Sequence, residues 1–345
     1  MSDIKCCSNN NGCLDNLENV PVVSTKLSFS DYLGTWKTRL GIGRMSYAVE
    51  PGLYAVGKPG GDSSVLVSAN YKLTFDVLRK NLEGLDCWLL ILDTKGVNVW
   101  CAAGEGTFGT DELVNRIEFV QLAKVVNHRK LILPQLGAPG VNAHEVAKRT
   151  GFFVTFGPVR ADDIQAYIAD GCKATKEMRR VQFTFTDRLV LTPMEIVPAV
   201  KMSLPVLGVV LLTNQFAKRP FSKSDIAAYA GAILTGAVIT PLLLPYIPGK
   251  AFAWKGWLVG LLGTVGILSK TKGFTKGNRF MSVGQLLLFP AISSFFAMNF
   301  TGASTYTSPS GVKKEMQKAL PFIVGAGAVG VALVLGSHFF GKGRK

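Results

Sequence analysis

The chain has 345 residues, 18% of them charged, and a formal net charge of +15. That charge is unevenly placed: through Glu195 there are 22 Lys+Arg against 21 Asp+Glu, and from Ile196 onward 16 against 2. The near-neutral first part, with no basic stripe interleaved with aromatics, excludes nucleic-acid binding, and the basic excess between apolar runs points to anionic lipid instead.

Residues 1–26 form a polar Ser/Asn/Gly tail without core-forming residues, expected to be disordered, and carry Cys6, Cys7 and Cys13. From 27 to 195 short apolar runs alternate with helical stretches. Cys87–Leu92, Lys130–Leu133 and Phe152–Phe156 read as strands. Helices are expected over Asp111–Lys124 with Thr110 as N-cap, over Ala143–Arg149 and over Ala161–Asp170. Repeated strand, loop and helix predict an α/β domain of Rossmann-like type with a largely parallel sheet. Ligands of such sheets sit at the carboxyl ends of the strands, where the Gly-containing loops fall. From 196 the pattern changes to five apolar runs near 196–216, 226–247, 251–268, 280–300 and 320–340. Each approaches the roughly 20 residues that a bilayer requires, so an all-α transmembrane domain over 196–345 is expected.

The N-terminus has no basic segment followed by an apolar one, so no cleavable leader is expected, and the first domain is expected in the cytoplasm with reduced thiols. The chain then reads as a multi-pass protein of the cytoplasmic membrane. The Lys and Arg of the connecting loops favour the opposite orientation.

Several motifs carry little. Gly325-Ala326-Gly327-Ala328-Val329-Gly330 spells a dinucleotide fingerprint, but it lies inside an apolar run with no strand before it, and small-residue helix packing explains it better. His128, His144 and His338 are too dispersed for a zinc site. Cys6, Cys7 and Cys13 could bind a soft metal ion or serve no structural purpose. Met298–Thr307 (MNFTGASTYT) is too specified for a plain connection, and docking of the soluble domain or of a partner is one reading.

Cys101 stands apart. It follows a strand, adjoins Trp100, and is succeeded by Ala102, Ala103, Gly104, Gly106 and Gly109, small residues over which backbone could approach a large flat ligand. From residues alone it is either a reactive or metal-ligating thiol or a buried structural one, and Trp100 either flanks a ligand or fills a core.

The run Asn98-Val99-Trp100-Cys101-Ala102-Ala103-Gly104 resembles the signature of the HgcA family, the membrane corrinoid proteins of mercury-methylating pairs. That family is itself similar to the corrinoid domain of the corrinoid iron-sulfur protein of the acetyl-CoA pathway. Pro51–Gly57, Ala69–Lys72, Pro134–Gly140 and Phe156–Arg160 extend the likeness. The family motif usually continues with Lys, where this chain has Glu105.

The resemblance implies a corrinoid cofactor of the cobalamin type, with Cys101 as catalytic residue and lower axial cobalt ligand. Asn98, Val99, Trp100, Ala102 and Ala103 would shape the surroundings of the thiol, and Gly104, Gly106, Thr107, Phe108, Gly109 and Thr110 would line the cofactor or its tail. Gly137, Ala138, Gly157 and Pro158 are candidates from neighbouring loops that could equally serve only to turn the chain. The implied reaction is methyl transfer to Hg(II), which has no lone pair to offer and must accept the methyl group as a carbanion equivalent or a radical. A soft thiolate donor below cobalt would favour such a transfer. The implied partners are a ferredoxin-like iron-sulfur electron donor and a methyl-folate donor or its methyltransferase. A corrinoid methyl carrier that never acts on mercury is the alternative, and a transporter or assembly factor ranks last because ionisable residues within the apolar runs are scarce.

Overall fold

In the computed structural model residues 20–217, 220–270 and 279–340 are described. The chain divides into two compact units, one of the residues up to Thr38 with Ile42–Val181, the other of Arg39–Gly41 with the residues from Gln182 onward.

The first unit opens with α1 (Phe29–Arg39) and continues through β1 (Gly52–Val56), β2 (Val65–Ala69), α2 (Lys72–Lys80), β3 (Cys87–Leu92), α3 (Val99–Glu105), α4 (Thr110–Phe119) and α5 (Leu122–Val125). It closes with β4 (Lys130–Leu133), α6 (Ala143–Thr150), β5 (Phe153–Phe156) and α7 (Ile164–Ala169). The sheet has the order β1-β3-β2-β4-β5, with β1 antiparallel and the other pairings parallel. The α/β class and three of its strands agree with the sequence reading; β1, β2 and the helices α1 and α2 are additions to it.

Strand β3 shows why this sequence makes a central strand. Trp88, Leu90 and Leu92 enter the core shared with α3, α4 and α6, while Cys87, Leu89 and Ile91 enter the core shared with α2 and α7. A run apolar at every position suits a strand covered on both faces. Both cores are therefore fed by one six-residue strand. The chain passes from β2 to β3 on one side, then recrosses β2 to reach β4, so strand order reverses between β2 and β4. Such a reversal opens a crevice at the carboxyl ends of the strands.

An ionic cluster fastens α1 to α2. Asp31 lies 2.7 Å from the Lys72 ammonium and 2.8 Å from the Arg79 guanidinium, and both cations also reach Asp76, at 2.6 and 2.8 Å. Burial works against charge on Asp31, but the hydrogen bonds from Lys72, Ser28 and Arg79 outweigh it and hold the carboxyl well below the usual range.

Three expectations are corrected. Residues 20–26, expected to be structureless, are tied to the domain: Val20 is buried, Ala55 N–H donates to Pro21 O at 3.0 Å, and Arg79 donates to the carbonyls of Ser24 and Lys26. Residues 1–19, with Cys6, Cys7 and Cys13, lie outside the described residues. The helix expected over Asp111–Lys124 breaks at Gln121, whose φ of 47° is left-handed, and its N-cap is Gly109, with Thr110 already helical. The expected boundary at Glu195 moves back, because the first long helix begins at Phe185.

The second unit consists of long apolar helices: α8 (Phe185–Phe216), α9 (Lys223–Leu234) running through a π-helical turn (Thr235–Ile239) into α10 (Thr240–Leu243), α11 (Phe252–Lys270), α12 (Arg279–Asn299) and α13 (Pro309–Phe340). Among the described residues five segments are long and apolar enough to cross a membrane, in agreement with the five expected runs. Close approach depends on small residues: a β-carbon on Gly260 would stand 2.5 Å from Ser293 Cβ, and one on Gly256 2.7 Å from Ser293 O. Within the fingerprint-like run of α13, Gly330 packs this way against Leu288 and Gly284, whereas Gly325 and Gly327 face open space.

Candidate functional site

The site is built on the connection between β3 and α3. Its organiser is Asn70, buried at the end of β2. The Asn70 side-chain oxygen accepts from Thr94 N–H at 3.1 Å, Thr94 Oγ1 at 2.9 Å and Gly96 N–H at 3.0 Å. Its amide nitrogen donates to Asp93 Oδ1 at 3.3 Å, and Glu112 Oε1 accepts from Asp93 N–H at 2.8 Å. A loop with this many fixed partners is a rigid post. Gly96 has a φ of 72° and lies so close to the 42–48 segment that a β-carbon would stand 3.3 Å from Met45 O.

From that post α3 begins. Asn98 is its N-cap, and its side-chain oxygen accepts from Cys101 N–H at 3.0 Å. The cysteine expected in a loop therefore sits in the first turn of a short helix. Helix α3 leaves the end of β3 and packs on β2 and on the 3-10 turn Gln135–Gly137 that follows β4. It thus lies across the crevice where strand order reverses.

The helix has two faces. Val99, Ala102 and Ala103 are buried in the core, and Trp100, Cys101, Gly104 and Glu105 are exposed. The two other cysteines in the described residues contrast with Cys101. Cys87 is buried in its strand, and burial, reinforced by Asp86, pushes its thiol up to about 12, so it is an inert core residue. Cys172 is half-buried. Only Cys101 among them is an exposed residue. No cluster of three or more His, Cys, Asp or Glu that could hold a metal exists among the described residues.

The glycines after the cysteine separate by cause. Gly106 has a φ of 86° and ends α3 in the left-handed conformation, while a β-carbon on Gly109 would stand 2.6 Å from Gly106 O. The fold itself requires both. Gly104 has neither excuse: it is helical, it lacks a positive φ, and nothing lies within 4 Å of where its β-carbon would be. Glycine inside a helix costs about 0.5–1 kcal/mol relative to Ala. The open surface over Gly104, one turn from Cys101, is the feature of this site that packing does not explain.

The remaining expected site residues divide in the same way. Phe108 is fully buried, and Gly137 makes room for it, since a β-carbon there would stand 2.5 Å from the ring. Phe108 N–H donates to Ala102 O at 3.0 Å and Thr107 Oγ1 to the same carbonyl at 3.4 Å, which closes the end of α3. Thr110 Oγ1 accepts from Asn142 N–H at 2.9 Å and ties α4 to the start of α6. Ala138 continues the turn after Gly137. Gly157 lies against Ile132 and Tyr167, in the core on the opposite face of the sheet, and Pro158 accepts from Gln135 N–H at 3.4 Å. The structure does not bring these last two into contact with Cys101. Asn70, Asp93, Thr94 and Glu112 are what residue reading left without a role. A polar Asn closing a short, largely apolar and fully buried strand was the available signal for the first. Met45, 76% exposed beside Gly96, adds an apolar side chain at the same end of the sheet as Trp100.

Residues 41–168 match the family model of the CO dehydrogenase/acetyl-CoA synthase delta subunit. That stretch contains the whole sheet and α3, and it ends before Phe185. The chain is also 34% identical over 127 residues to the acetyl-CoA decarbonylase/synthase complex subunit gamma of Archaeoglobus fulgidus, covering 36% of this chain and 27% of the relative. The corresponding subunit of Methanopyrus kandleri is 34% identical over 122 residues, with coverage of 35% and 26%. That of Methanocaldococcus jannaschii is 34% identical over 116 residues, with 33% and 23%. The chain therefore spans about a quarter of the length of these relatives. Its α/β unit carries a domain distantly related to theirs, joined here to a helical region.

Proposed function

We propose that the chain is a membrane-anchored corrinoid protein that transfers a methyl group to Hg(II), with Cys101 as the lower axial cobalt ligand. The observation that carries this reading is the exposed face of α3, where a solvent-facing thiol stands beside a glycine that leaves open surface for a large planar group. The residues present fit such a group: a soft donor, clearance over Gly104, and exposed apolar side chains at Trp100 and Met45. A bound corrinoid would supply a cobalt-carried methyl group, and a thiolate donor favours its release to an acceptor that offers no lone pair.

The chain's own residues do the positioning. Asn98 fixes the first turn of α3 and hence the Cys101 sulfur, and Asn70 fixes the loop before it. Gly104 keeps backbone distance short, and Gly106 and Thr107 border the same end of the helix. The five apolar helices would anchor this unit in the cytoplasmic membrane, with the α/β unit on the reducing side, where the thiol stays available. A ferredoxin-like iron-sulfur protein would restore the reduced cofactor between turnovers, and a methyl-folate donor or its methyltransferase would recharge it.

One observation favours a second reading. The relatives it matches are subunits of an acetyl-CoA decarbonylase/synthase complex, so a methyl carrier for such one-carbon chemistry fits the same site. The cofactor claim is tested by anaerobic loading of the full chain, purified in detergent, with methylcobalamin. The wild type is expected to show a visible spectrum distinct from free cofactor, and Cys101→Ala to lose that shift. Identical spectra for the two would remove Cys101 from the cobalt.

A further inference from the structure

The helical unit contains a cleft that neither the corrinoid reading nor the relatives assign. It measures about 460 Å³ and opens between the start of α11 and the first turns of α13, with Tyr306 and Thr307 of the preceding segment on its wall. Lys250, Lys314 and Lys318 line it, and the only acid there is Glu315. Glu315 is already committed, because its Oε1 accepts from Ala253 N–H at 2.7 Å and fastens α13 to α11.

The cations at this end of the bundle fall into two groups. Arg188 donates to the carbonyls of Phe183 and Leu242, and Lys255 to that of Leu244, so both complete the fold. Among the described residues no hydrogen bond or ion pair engages the side chains of Lys250, Lys314 or Lys318. Three ammonium groups against one carboxylate leave the cleft lining with an excess of two positive charges, which calls for an anion of more than one charged oxygen, and phosphate esters supply it.

The next turns of α13 decide which kind of molecule carries the phosphate. Lys314, Lys318 and Phe322 are spaced by four residues and share one helix face, with Gly325 three residues further on. Phe322 is 79% exposed, and nothing lies within 4 Å of a β-carbon on Gly325. A charged end thus passes directly into an uncovered apolar helix face. Trp254, stacked on Trp257 at 5.4 Å, stands at the same level, where tryptophans mark a bilayer's edge. Free phosphate would use the lysines and leave the apolar face bare, whereas an amphiphile uses both.

We propose that this cleft binds the headgroup of an anionic glycerophospholipid, with its phosphate between Lys250, Lys314 and Lys318 and an acyl chain along Phe322 and Gly325. The proposal rests on the membrane reading of the five helices. It also gives Met298–Thr307 a role. Thr301 Oγ1 donates to Met298 O at 2.6 Å, Tyr306 N–H donates to Ser304 Oγ at 3.0 Å, and the Tyr306 ring packs edge-on against Phe183 at 5.4 Å. Those contacts hold the cleft wall in place.

The test is native mass spectrometry of the full chain in neutral detergent, titrated separately with phosphatidylglycerol, cardiolipin, phosphatidylcholine and inorganic phosphate. The wild type is expected to retain the two anionic lipids at least about tenfold more tightly than phosphatidylcholine, at roughly fivefold per lysine. Lys250→Gln/Lys314→Gln/Lys318→Gln should abolish that preference, and Lys318→Gln alone should reduce it about fivefold if the triple variant does not fold. Lys201→Gln/Lys223→Gln, exposed lysines away from the cleft, should keep it. Equal retention of all lipids, a preference that survives the triple substitution, or displacement of bound lipid by millimolar inorganic phosphate would each overturn the site. Release of the chain from vesicles by carbonate washing would overturn the membrane reading as well, and so separates the two failures.

Discussion

Gly104→Ala sets stability against ligand binding at a single atom. The helical backbone at Gly104 accepts Ala, and nothing within 4 Å obstructs the added methyl. Replacing a helix-interior Gly with Ala then stabilises by about 0.5–1 kcal/mol. For a unit of this size that corresponds to a rise of about 1–4 °C in melting temperature. The same methyl projects from the face that carries Cys101 and holds a planar ligand off the backbone by roughly the radius of a methyl group, so loading with methylcobalamin should fall about tenfold. Gly106→Ala is the comparison: its φ of 86° makes Ala costly by about 1–2 kcal/mol, so that variant should lose stability. Pulse proteolysis of the full chain in urea, scored on the α/β fragment, reads the first quantity, and anaerobic equilibrium loading reads the second. A Gly104→Ala protein that is less stable, or that loads within twofold of wild type, would refute the argument that this glycine is kept for a ligand.

Asn70→Ala removes the acceptor for three hydrogen bonds in a buried loop and should cost about 3 kcal/mol by urea unfolding, while Asn70→Asp, which keeps the oxygens, should retain more of both stability and cofactor loading. The Asp31 carboxyl is depressed in the folded chain, so its contribution is present above its ordinary value of 3.8 and is lost as pH falls toward the folded value. An acid titration of stability should therefore be shallower below pH ~4 for Asp31→Asn than for the wild type, and parallel curves would contradict the sign. Glu105→Lys sits on the exposed face one turn from Cys101 and should leave stability within about 0.5 kcal/mol. Under the proposed function its effect is expected in the salt dependence of electron-donor docking, measured by stopped-flow reduction.

How legible each element is in the sequence depends on how local its signal is. β3 and β4 are short apolar runs bounded by turn residues, readable because burial on both faces demands that composition, whereas β5 is an edge strand with Phe153 exposed that is readable from its aromatic and β-branched residues. β1 escapes such a reading because Gly52–Val56 is an antiparallel edge strand with a Gly at its start, and β2 because Ser63 and Ser64 blur its beginning. Helix α1 exposes Phe29 and Trp36 and is held by the Asp31 cluster, a partnership forty residues distant in sequence that no local pattern shows. In the site, Cys101 is legible from its motif, and the structure adds the reason for each neighbour. Gly106, Gly109 and Gly137 serve the backbone and the Phe108 ring, and only Gly104 is left for a ligand. That sorting requires coordinates, since all four glycines look alike in a sequence. The same holds for Asn70, whose three acceptor bonds reach residues more than twenty positions away.

The central claim is methyl transfer to Hg(II) through Cys101, and its most direct test is methylmercury production in anaerobic cells that express the chain with an iron-sulfur partner, wild type beside Cys101→Ala. The account predicts methylmercury from the wild type and less than about a hundredth as much from the variant, a loss of at least ~2.7 kcal/mol in transition-state stabilisation. A folded, corrinoid-loaded wild type that forms no methylmercury, or a Cys101→Ala variant that forms as much, would contradict it.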